Sequence, residues 1–252
     1  MIRRQQANAG SQRPEAYPPA PDGRTIYVVG DIHGRLDLLQ SLHRSIDADK
    51  RAAATTQTVE IYLGDYVDRG PQSSEVLSAL VDRSKDTYAV FLRGNHDQLL
   101  LDFLEGQDVL DKWKVIGAVP TLLSYGLPAR LLSGDTPEEQ VRDLFSQNLP
   151  PEHFEFLADT GSYCAVDAYL MVHAGIRPRV RLEDQETTDL FGIRTDFLDY
   201  EGDFGAIVVH GHTPVAEPDF RPNRINIDTG AYATNRLTCL KIGEDGPSLL
   251  PG

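Results

Sequence analysis

Short apolar runs recur along the chain, and each ends abruptly in a cluster of glycine and polar residues. The runs are four or five residues long and rich in β-branched and aromatic side chains, a pattern typical of buried strands in a sheet covered on both faces. They occupy residues 25–29, 60–63, 88–92, 169–172 and 206–209. The sequence therefore predicts at least five buried strands, with Asp, Asn or His just beyond their carboxyl ends.

Apolar residues recur at helical spacing between the first three of these runs, within residues 36–46 and 76–81. Strands that alternate with helices predict βαβ units and a largely parallel sheet in the first part of the chain. In such sheets, ligands bind beyond the carboxyl ends of the strands. Because every polar cluster follows the carboxyl end of its run, we expect the clusters to meet at one binding site.

The remaining segments predict one folded domain with an insertion and a tail. Residues 98–162 are Leu-rich, helical in texture and interrupted by prolines, which predicts a helical insertion that walls the site and buries Trp113 in the core. Residues 1–23 are rich in Gln, Ala, Pro and Arg and lack apolar periodicity, so we expect a flexible tail, with a partner-binding arm as the alternative. The folded domain is expected to span residues 24–252.

Composition narrows the classes of partner. The chain of 252 residues carries a formal net charge of −14, which argues against nucleic acid as a partner. No run approaches the roughly 18 apolar residues of a membrane span, and no secretory signal pattern is present, so we expect a cytoplasmic protein without membrane contact. Cys164 and Cys239 lie far apart without CxxC spacing, so a metal site here would use oxygen and imidazole ligands.

Six side chains at the predicted strand ends could bind cations. Asp31 and His33 lie two apart in an extended segment and therefore project to the same side, and the Asp65 carboxylate could bridge two cations. The full set is Asp31, His33, Asp65, Asn95, His173 and His212. This mixture of oxygen and nitrogen ligands suits manganese, iron, zinc or magnesium. Each motif alone also fits a turn or a helix cap, so the inference depends on all of them together.

In order, these motifs resemble those of the phosphoprotein phosphatase (PPP) family of dinuclear metallophosphoesterases. The matching segments are Gly-Asp31-Ile-His33-Gly, Gly-Asp65-Tyr-Val-Asp68-Arg69-Gly, Gly-Asn95-His96-Asp97, His173-Ala-Gly and Gly-His212-Thr-Pro. The likeness is greatest to the compact bacterial and phage branch that includes lambda phosphatase, and it covers about residues 25–240. It implies an α/β/β/α sandwich, the calcineurin-like metallophosphoesterase fold, in which two mixed sheets are flanked by helices and carry a helical insertion.

The resemblance also implies two divalent metal ions, with Mn²⁺ as the expected metal and iron, zinc, magnesium or nickel as alternatives. One ion would be held by Asp31, His33 and bridging Asp65, and the other by Asp65, Asn95, His173 and His212. A hydroxide that bridges the two ions would attack phosphorus in line.

Further residues receive roles from the same resemblance. His96 would be the general acid that protonates the leaving oxygen, and Asp68 would orient it. Arg69 would bind the substrate phosphate through its guanidinium fork. Arg194 would be a second phosphate-binding arginine, in a segment where related sequences often carry Trp at the position of Gly192.

Three functions fit this motif set. The first is a metal-dependent phosphatase that hydrolyses phosphomonoesters, foremost phosphoserine and phosphothreonine in proteins, and also phosphotyrosine. The alternative is a dinucleoside polyphosphate hydrolase, which would release ADP from diadenosine tetraphosphate faster than phosphate from phosphopeptides. A non-catalytic binding scaffold is the remote alternative, because such proteins usually lose catalytic residues, whereas His96, Asp68 and Arg69 are all present. We expect the insertion to decide between the first two.

Overall fold

The computed structural model describes residues 17–53, 57–132 and 136–250, in which ten strands form two sheets. The strands are β1 (Thr25–Val29), β2 (Thr58–Tyr62), β3 (Ala89–Phe91), β4 (Tyr163–Val166), β5 (Tyr169–Val172), β6 (Ile207–His210), β7 (Asp219–Phe220), β8 (Arg224–Asn226), β9 (Cys239–Gly243) and β10 (Gly246–Leu250). The five strands predicted from apolar runs overlap β1, β2, β3, β5 and β6, which confirms them.

Helices cover the sheets and fill the segment between β3 and β4. They are α1 (Leu36–Ala52), α2 (Ser73–Asp86), α3 (Asn95–Leu104), α4 (Leu110–Ile116), α5 (Ala118–Ser124), α6 (Ala129–Leu132), α7 (Glu138–Asn148), α8 (Pro151–Ala158), α9 (Thr187–Gly192), α10 (Thr195–Leu198) and α11 (Ala231–Thr234). The two predicted helices correspond to α1 and α2, and the predicted insertion to α3–α8. Within the described ranges, no helix is long and apolar enough to cross a membrane.

Both sheets are mixed. The first has the order β10-β9-β1-β2-β3, in which β1, β2 and β3 are parallel while β9 and β10 add antiparallel strands at one side. The second has the order β4-β5-β6-β8-β7, with β5, β6 and β8 parallel and antiparallel strands at both edges. The parallel strands at the centre of each sheet therefore end at the same edge, where the polar clusters follow.

Side chains on the central strand β1 alternate between two hydrophobic cores. Ile26 and Val28 pack against the second sheet, whereas Tyr27 and Val29 pack against the helical side. A third core lies on the other face of the second sheet, where α9 covers it through Phe191. The layers therefore run helix, sheet, sheet, helix, which confirms the predicted α/β/β/α sandwich.

A buried ion-pair cluster links the first sheet to its helices. Glu60 on β2 accepts hydrogen bonds from Lys50 Nζ at 2.6 Å and from Arg83 Nη2 at 2.5 Å. The hydroxyl of Tyr62 also donates to Glu60, at 2.5 Å. Burial tends to raise the pKa of Glu60, but these donors hold it at about 2. Because Lys50 lies on α1 and Arg83 on α2, this compensated charge joins both helices to β2.

The predicted tail, residues 1–23, falls partly outside the described residues, since 1–16 are not among them. The described segment, 17–23, packs on the domain. The Tyr17 hydroxyl and the Ala20 amide each donate to a backbone carbonyl at 2.9 Å, and Ala20 is buried. For residues 17–23 the structure thus differs from the prediction of a flexible tail, because Tyr17 and Ala20 pack against the hydrophobic core that lies between the two sheets.

Candidate active site

The loops that follow β1 and β2 are bonded to each other at the carboxyl edge of the first sheet. The amides of Ile32 and His33 donate to the carbonyl of Asp65 at 3.2 and 2.9 Å. A Cβ at Gly70 would collide with the carbonyl of His33, so glycine is required for this close approach. These contacts bring the side chains of Asp31, His33 and Asp65 into one buried space.

Several candidate site residues hold the left-handed backbone conformation that favours glycine. Eight non-glycine residues in the described chain have positive φ, and the five at the site are His33, Asp65, Asp68, Arg69 and His212, with φ from 48° to 72°. Such strain persists where the surrounding structure enforces it, and it concentrates at functional sites. The fold thus directs these side chains inward against their local preference.

Asp65 is shared by two groups of metal-ligand side chains. One group comprises His33, Asp65 and His96, and the other comprises Asp65, His173 and His212, with ligand atoms within 4.8 Å of one another in each group. Asp65 Oδ2 lies 3.4 Å from His33 Nε2, and Oδ1 lies 3.5 Å from His173 Nε2. Burial tends to raise the pKa of Asp65, but the surrounding imidazoles lower it below its ordinary value. A shared carboxylate of this kind can bridge two cations.

The histidine rings are oriented with their Nε2 lone pairs toward this centre. His33 Nδ1 donates to the carbonyl of Val67 at 2.8 Å. His173 Nδ1 donates likewise to the carbonyl of Leu63 at 3.0 Å. A neutral ring whose Nδ1 donates carries its lone pair on Nε2. His173 Nε2 lies only 3.2 Å from Asn95 Oδ1, so two acceptors face each other where a cation would satisfy both.

Two buried polar atoms at this centre, Asp31 Oδ1 and His212 Nε2, have no hydrogen-bond partner among the described residues. The other Asp31 oxygen accepts the backbone amide of His212 at 3.0 Å. Burial lowers the pKa of His33 and of His212 to about 3, which keeps both rings in the neutral, ligand form. Buried carboxylates, orphaned acceptors and neutral imidazoles together fit divalent cations, which would supply the missing positive charge.

A histidine–carboxylate pair and an arginine lie beside the first ligand group. His96 Nδ1 is 2.6 Å from Asp68 Oδ2, and His96 Nε2 is 3.0 Å from Arg69 Nη2. Arg69 Nη1 also lies 3.0 Å from His33 Nε2, and the guanidinium stands 4.7 Å from the centroid of the Tyr232 ring. Burial tends to lower the pKa of His96, but the neighbouring carboxylates raise it above its ordinary value. Because arginine only donates, Nε2 accepts from Arg69 in this arrangement, while the two carboxylates beside the ring favour its uptake of a proton.

Residues of the insertion hold Asp68, a contact that the sequence did not predict. Trp113 Nε1 on α4 donates to Asp68 Oδ2 at 2.7 Å, and Thr121 Oγ1 on α5 donates to Oδ1 at 2.7 Å. Between these helices, the carbonyl of Gly117 accepts the amide of Arg69 at 3.0 Å. Trp113 is buried as predicted, but the bond spans 45 positions in the chain and has no local signal. The insertion thus forms part of the site.

Asp97 fixes the loop of Asp65 without offering a ligand to the centre. It accepts three backbone amides, those of Asp65, Tyr66 and Gly94, at 2.7, 3.0 and 2.9 Å. Burial, together with the charge of Asp65, raises the pKa of Asp97 to about 7. This carboxylate ties the second strand-end loop to the start of α3 and so places Asn95 beside Asp65.

The structure brings nine of the ten predicted site residues into contact around this centre and leaves the tenth at its margin. Arg194 is exposed at the start of α10. Burial is the main cause of the lowered pKa of His212, and the positive charge of Arg194 lowers it further. Arg194 therefore lies near the second ligand group. Asn95, at the start of α3, is half-buried and borders the same group.

The fold and this site define a metallophosphoesterase. The chain belongs to the calcineurin-like phosphoesterase family, whose model matches residues 24–239. The predicted class, a metal-dependent hydrolase of phosphate esters, is thereby confirmed.

Individual relatives extend the comparison. The bis(5′-nucleosyl)-tetraphosphatase PrpE (asymmetrical) of Bacillus thuringiensis strain Al Hakam is 30% identical over 253 residues, covering 89% of this chain and 94% of the relative. The protein of the same name from Anoxybacillus flavithermus is 26% identical over 250 residues, with the same coverage of each chain. Both similarities extend over nearly the whole of each protein.

Two solved structures share the fold. One, assigned provisionally as a diadenosine tetraphosphatase, has a TM-score of 0.58 at 19% identity and covers 94% of this chain and 99% of its own. A serine/threonine protein phosphatase of Saccharomyces cerevisiae has a TM-score of 0.52 at 15% identity and covers 88% of this chain and 73% of its own. At these identities the likeness extends to the fold alone.

Proposed function

We propose that this protein hydrolyses dinucleoside tetraphosphates, such as diadenosine tetraphosphate, by asymmetrical cleavage. The observation that carries the proposal is the similarity, over 89% of the chain, to proteins named as asymmetrical bis(5′-nucleosyl)-tetraphosphatases. Asymmetrical cleavage divides the four phosphates into one and three, so the expected products are AMP and ATP. The sequence-based alternative thus takes precedence over the protein phosphatase, but with these products in place of ADP.

The metal-binding roles expected from sequence are proposed for the same residues. One divalent cation would be held by Asp31, His33 and Asp65, and a second by Asp65, Asn95, His173 and His212. When bound, two such cations supply an activated water and neutralise charge on the phosphoryl oxygens. Mn²⁺ is the proposed metal, with iron, zinc, magnesium and nickel as the alternatives to be compared.

His96 acts as the general acid in this proposal, although it lies within the first ligand group. Its 2.6 Å contact with Asp68 favours a protonated ring, and Nε2, which accepts from Arg69 here, takes up the proton when the guanidinium turns to the substrate phosphate. From there Nε2 donates its proton to the leaving oxygen, while Asp68 stabilises the charged ring. Trp113 and Thr121 keep the Asp68 carboxylate in place.

Arginines supply the charge that attracts and orients the polyphosphate. Arg69 presents two guanidinium nitrogens at the centre, a geometry that matches two phosphoryl oxygens. Arg194, exposed at the margin of the site, would bind a further phosphate of the tetraphosphate substrate. Because the protein carries a net charge of −14, these local cations are needed for a tetraphosphate to approach the site.

The test compares three substrates with the purified protein supplied with Mn²⁺. These are diadenosine tetraphosphate, a phosphoserine peptide and p-nitrophenyl phosphate, and the products from the first are separated by chromatography. We expect the highest kcat/KM for diadenosine tetraphosphate, with AMP and ATP formed in equal amounts and no activity from Asp65→Asn. A higher kcat/KM for the phosphopeptide would instead favour the protein phosphatase, and two molecules of ADP would contradict asymmetrical cleavage.

A further inference from the structure

A groove opens directly beside the metal-ligand centre, between α3, α4 and α9. Its volume is about 540 Å³, within the range of about 300–1,000 Å³ typical of small-molecule sites. Its walls include Asn95, Gln98 and Leu99 from α3, Ile116 from α4, and Phe191 and Gly192 from α9. The groove is therefore large enough for one part of a substrate that reacts at the centre.

Two contacts join the groove to the reacting centre. Asn95 lines the groove, and its Oδ1 lies 3.2 Å from His173 Nε2. Ile116 lines it too, and its carbonyl lies 3.5 Å from Arg69 Nε. Asn95, a proposed metal ligand, and Ile116, which contacts the phosphate-binding Arg69, thus form one border of the groove. A ligand in the groove would place an attached phosphate at this border.

The lining combines apolar surface with polar groups that are held in place. Leu99 and Phe191 are largely buried beneath the groove and present apolar surface. The Gln98 amide is fixed, because its Nε2 donates to Asp102 Oδ1 at 2.7 Å and its Oε1 accepts from Arg93 Nη1 at 3.0 Å. An apolar wall beside oriented amide and carboxylate groups suits a flat heterocycle and a ribose, which are uncharged and bear hydrogen-bonding edges.

We propose that this groove binds the nucleoside whose own α-phosphorus is attacked. The inference rests on the proposed function and locates one half of its substrate. Water adds its oxygen to the α-phosphorus, the bond from that phosphorus to the bridging oxygen breaks, and the two hydrogens of water end on the two products. With diadenosine tetraphosphate the products are AMP and ATP. A nucleoside seated next to the reacting phosphorus accounts for unequal cleavage of the chain.

Gly192 offers a way to fill the groove while leaving the centre intact. A Cβ at this position meets no heavy atom within 4 Å, and its backbone lies outside the left-handed region. Gly192→Trp is expected to raise KM for diadenosine tetraphosphate at least about tenfold by displacing the base. Turnover of p-nitrophenyl phosphate, which has no nucleoside, should be unchanged.

Val115→Trp is the matched control, because Val115 lies on α4 with 87% of its surface exposed and does not line the groove. Val115→Trp should change neither the KM for diadenosine tetraphosphate nor the turnover of p-nitrophenyl phosphate. An unchanged KM for diadenosine tetraphosphate in a Gly192→Trp protein that retains p-nitrophenyl phosphate turnover would overturn the groove assignment. A raised KM for a phosphoserine peptide alone would assign the groove to a peptide and overturn it equally.

If Gly192→Trp loses activity toward every substrate, a second variant, Lys112→Trp, tests the groove assignment. Lys112→Trp fills the groove from the α4 wall, and Lys112→Gln controls for the lost charge. The same rise in KM, confined to diadenosine tetraphosphate and to the Trp variant, is expected. Equal KM values for Lys112→Trp and Lys112→Gln would overturn the assignment.

The groove and the proposed function fail in different ways. If the wild-type protein does not cleave diadenosine tetraphosphate at all, the proposed function falls. If the wild type cleaves it but the groove variants do so with unaltered KM, only the groove assignment falls. Hydrolysis in water labelled with a heavy oxygen isotope should place the label in AMP, and a label in ATP would contradict attack on the α-phosphorus.

Discussion

Two buried clusters of charged side chains adjoin the first sheet, and they differ in whether the protein itself completes them. In the cluster around Glu60, the carboxylate receives hydrogen bonds from two cations, Lys50 and Arg83, in addition to a hydroxyl. At the metal-ligand centre, Asp31 Oδ1 and His212 Nε2 are buried without a partner among the described residues. The protein's own side chains neutralise the first cluster, whereas the second requires positive charge from outside the chain.

The pKa values of the two clusters express the same difference. Both Glu60 and Asp31 are fully buried carboxylates, and burial raises the pKa of each. Donors from Lys50 and Arg83 nevertheless lower the pKa of Glu60 to about 2. Asp31 faces other carboxylates instead, so its pKa stands well above its usual range. A buried acid without a cationic partner points to a binding site rather than to a structural ion pair.

The largest effect is expected from removing the shared carboxylate of the incomplete cluster. Asp65→Asn should lower kcat by about a thousandfold or more, because the group shared by both cation sites is lost. Saturating Mn²⁺ should stabilise the wild type by about 2.7 kcal/mol at a hundredfold excess over Kd and leave the variant unaffected. Metal content and melting temperature with and without Mn²⁺ measure this, and equal metal binding by the two proteins would contradict the shared site.

His96→Asn should have the next largest effect and separates acid catalysis from metal binding. Turnover of substrates with poor leaving groups should fall by about 10²–10⁴-fold, whereas metal content should match that of the wild type. The loss should be smaller for p-nitrophenyl phosphate, whose leaving group needs less protonation. Equal losses for good and poor leaving groups would show that His96 is not the acid.

Trp113→Phe tests whether the insertion positions the Asp68–His96 pair. The change keeps an aromatic ring in the core but removes the Nε1 donor to Asp68, so kcat should fall about tenfold. The loss should grow as the leaving group becomes poorer. Phe145→Leu is the control, because Phe145 packs against the Trp113 ring without touching Asp68. An equal, leaving-group-dependent loss in Phe145→Leu would reduce the role of Trp113 to packing.

Glu60→Gln should have the smallest effect on catalysis and a large one on stability. Loss of the carboxylate leaves Lys50 and Arg83 without their shared buried anion, so the free energy of unfolding should fall by about 3 kcal/mol. Turnover of diadenosine tetraphosphate below the melting temperature should match the wild type. Denaturant unfolding and kinetics measure both quantities, and an unfolding free energy equal to that of the wild type would remove the contrast between the two clusters.

Acidification should erase the stability difference between wild type and Glu60→Gln. The pKa of Glu60 is lowered from 4.5 to about 2 in the folded protein. Its contribution to stability is therefore complete above pH 4.5 and is lost as the pH falls toward 2. Unfolding measured across this window should show the two proteins converging. A constant difference would place the stabilisation elsewhere than in the charge of Glu60.

The motifs alone do not distinguish between the two candidate substrate classes. The motifs from Asp31 to His212 specify metal chemistry on phosphate esters, and that chemistry is common to phosphatases and tetraphosphatases. Substrate choice depends instead on surfaces such as the groove between α3 and α9, whose walls come from separate segments. Gly192 illustrates this: in the sequence it is only a departure from related motifs, whereas in the structure it borders open space beside the centre.

The order of the layers followed from the resemblance to a known family, but by itself the sequence determined five of the ten described strands and the residue types at the metal-ligand centre. It could do so because apolar runs and the glycines after them act locally, and because parallel strands place their carboxyl ends together. Only the tertiary structure decided that Trp113 and Thr121 hold Asp68, across 45 and 53 positions of chain. Such contacts depend on how separate helices pack, and helix packing is set by the whole core rather than by any local pattern.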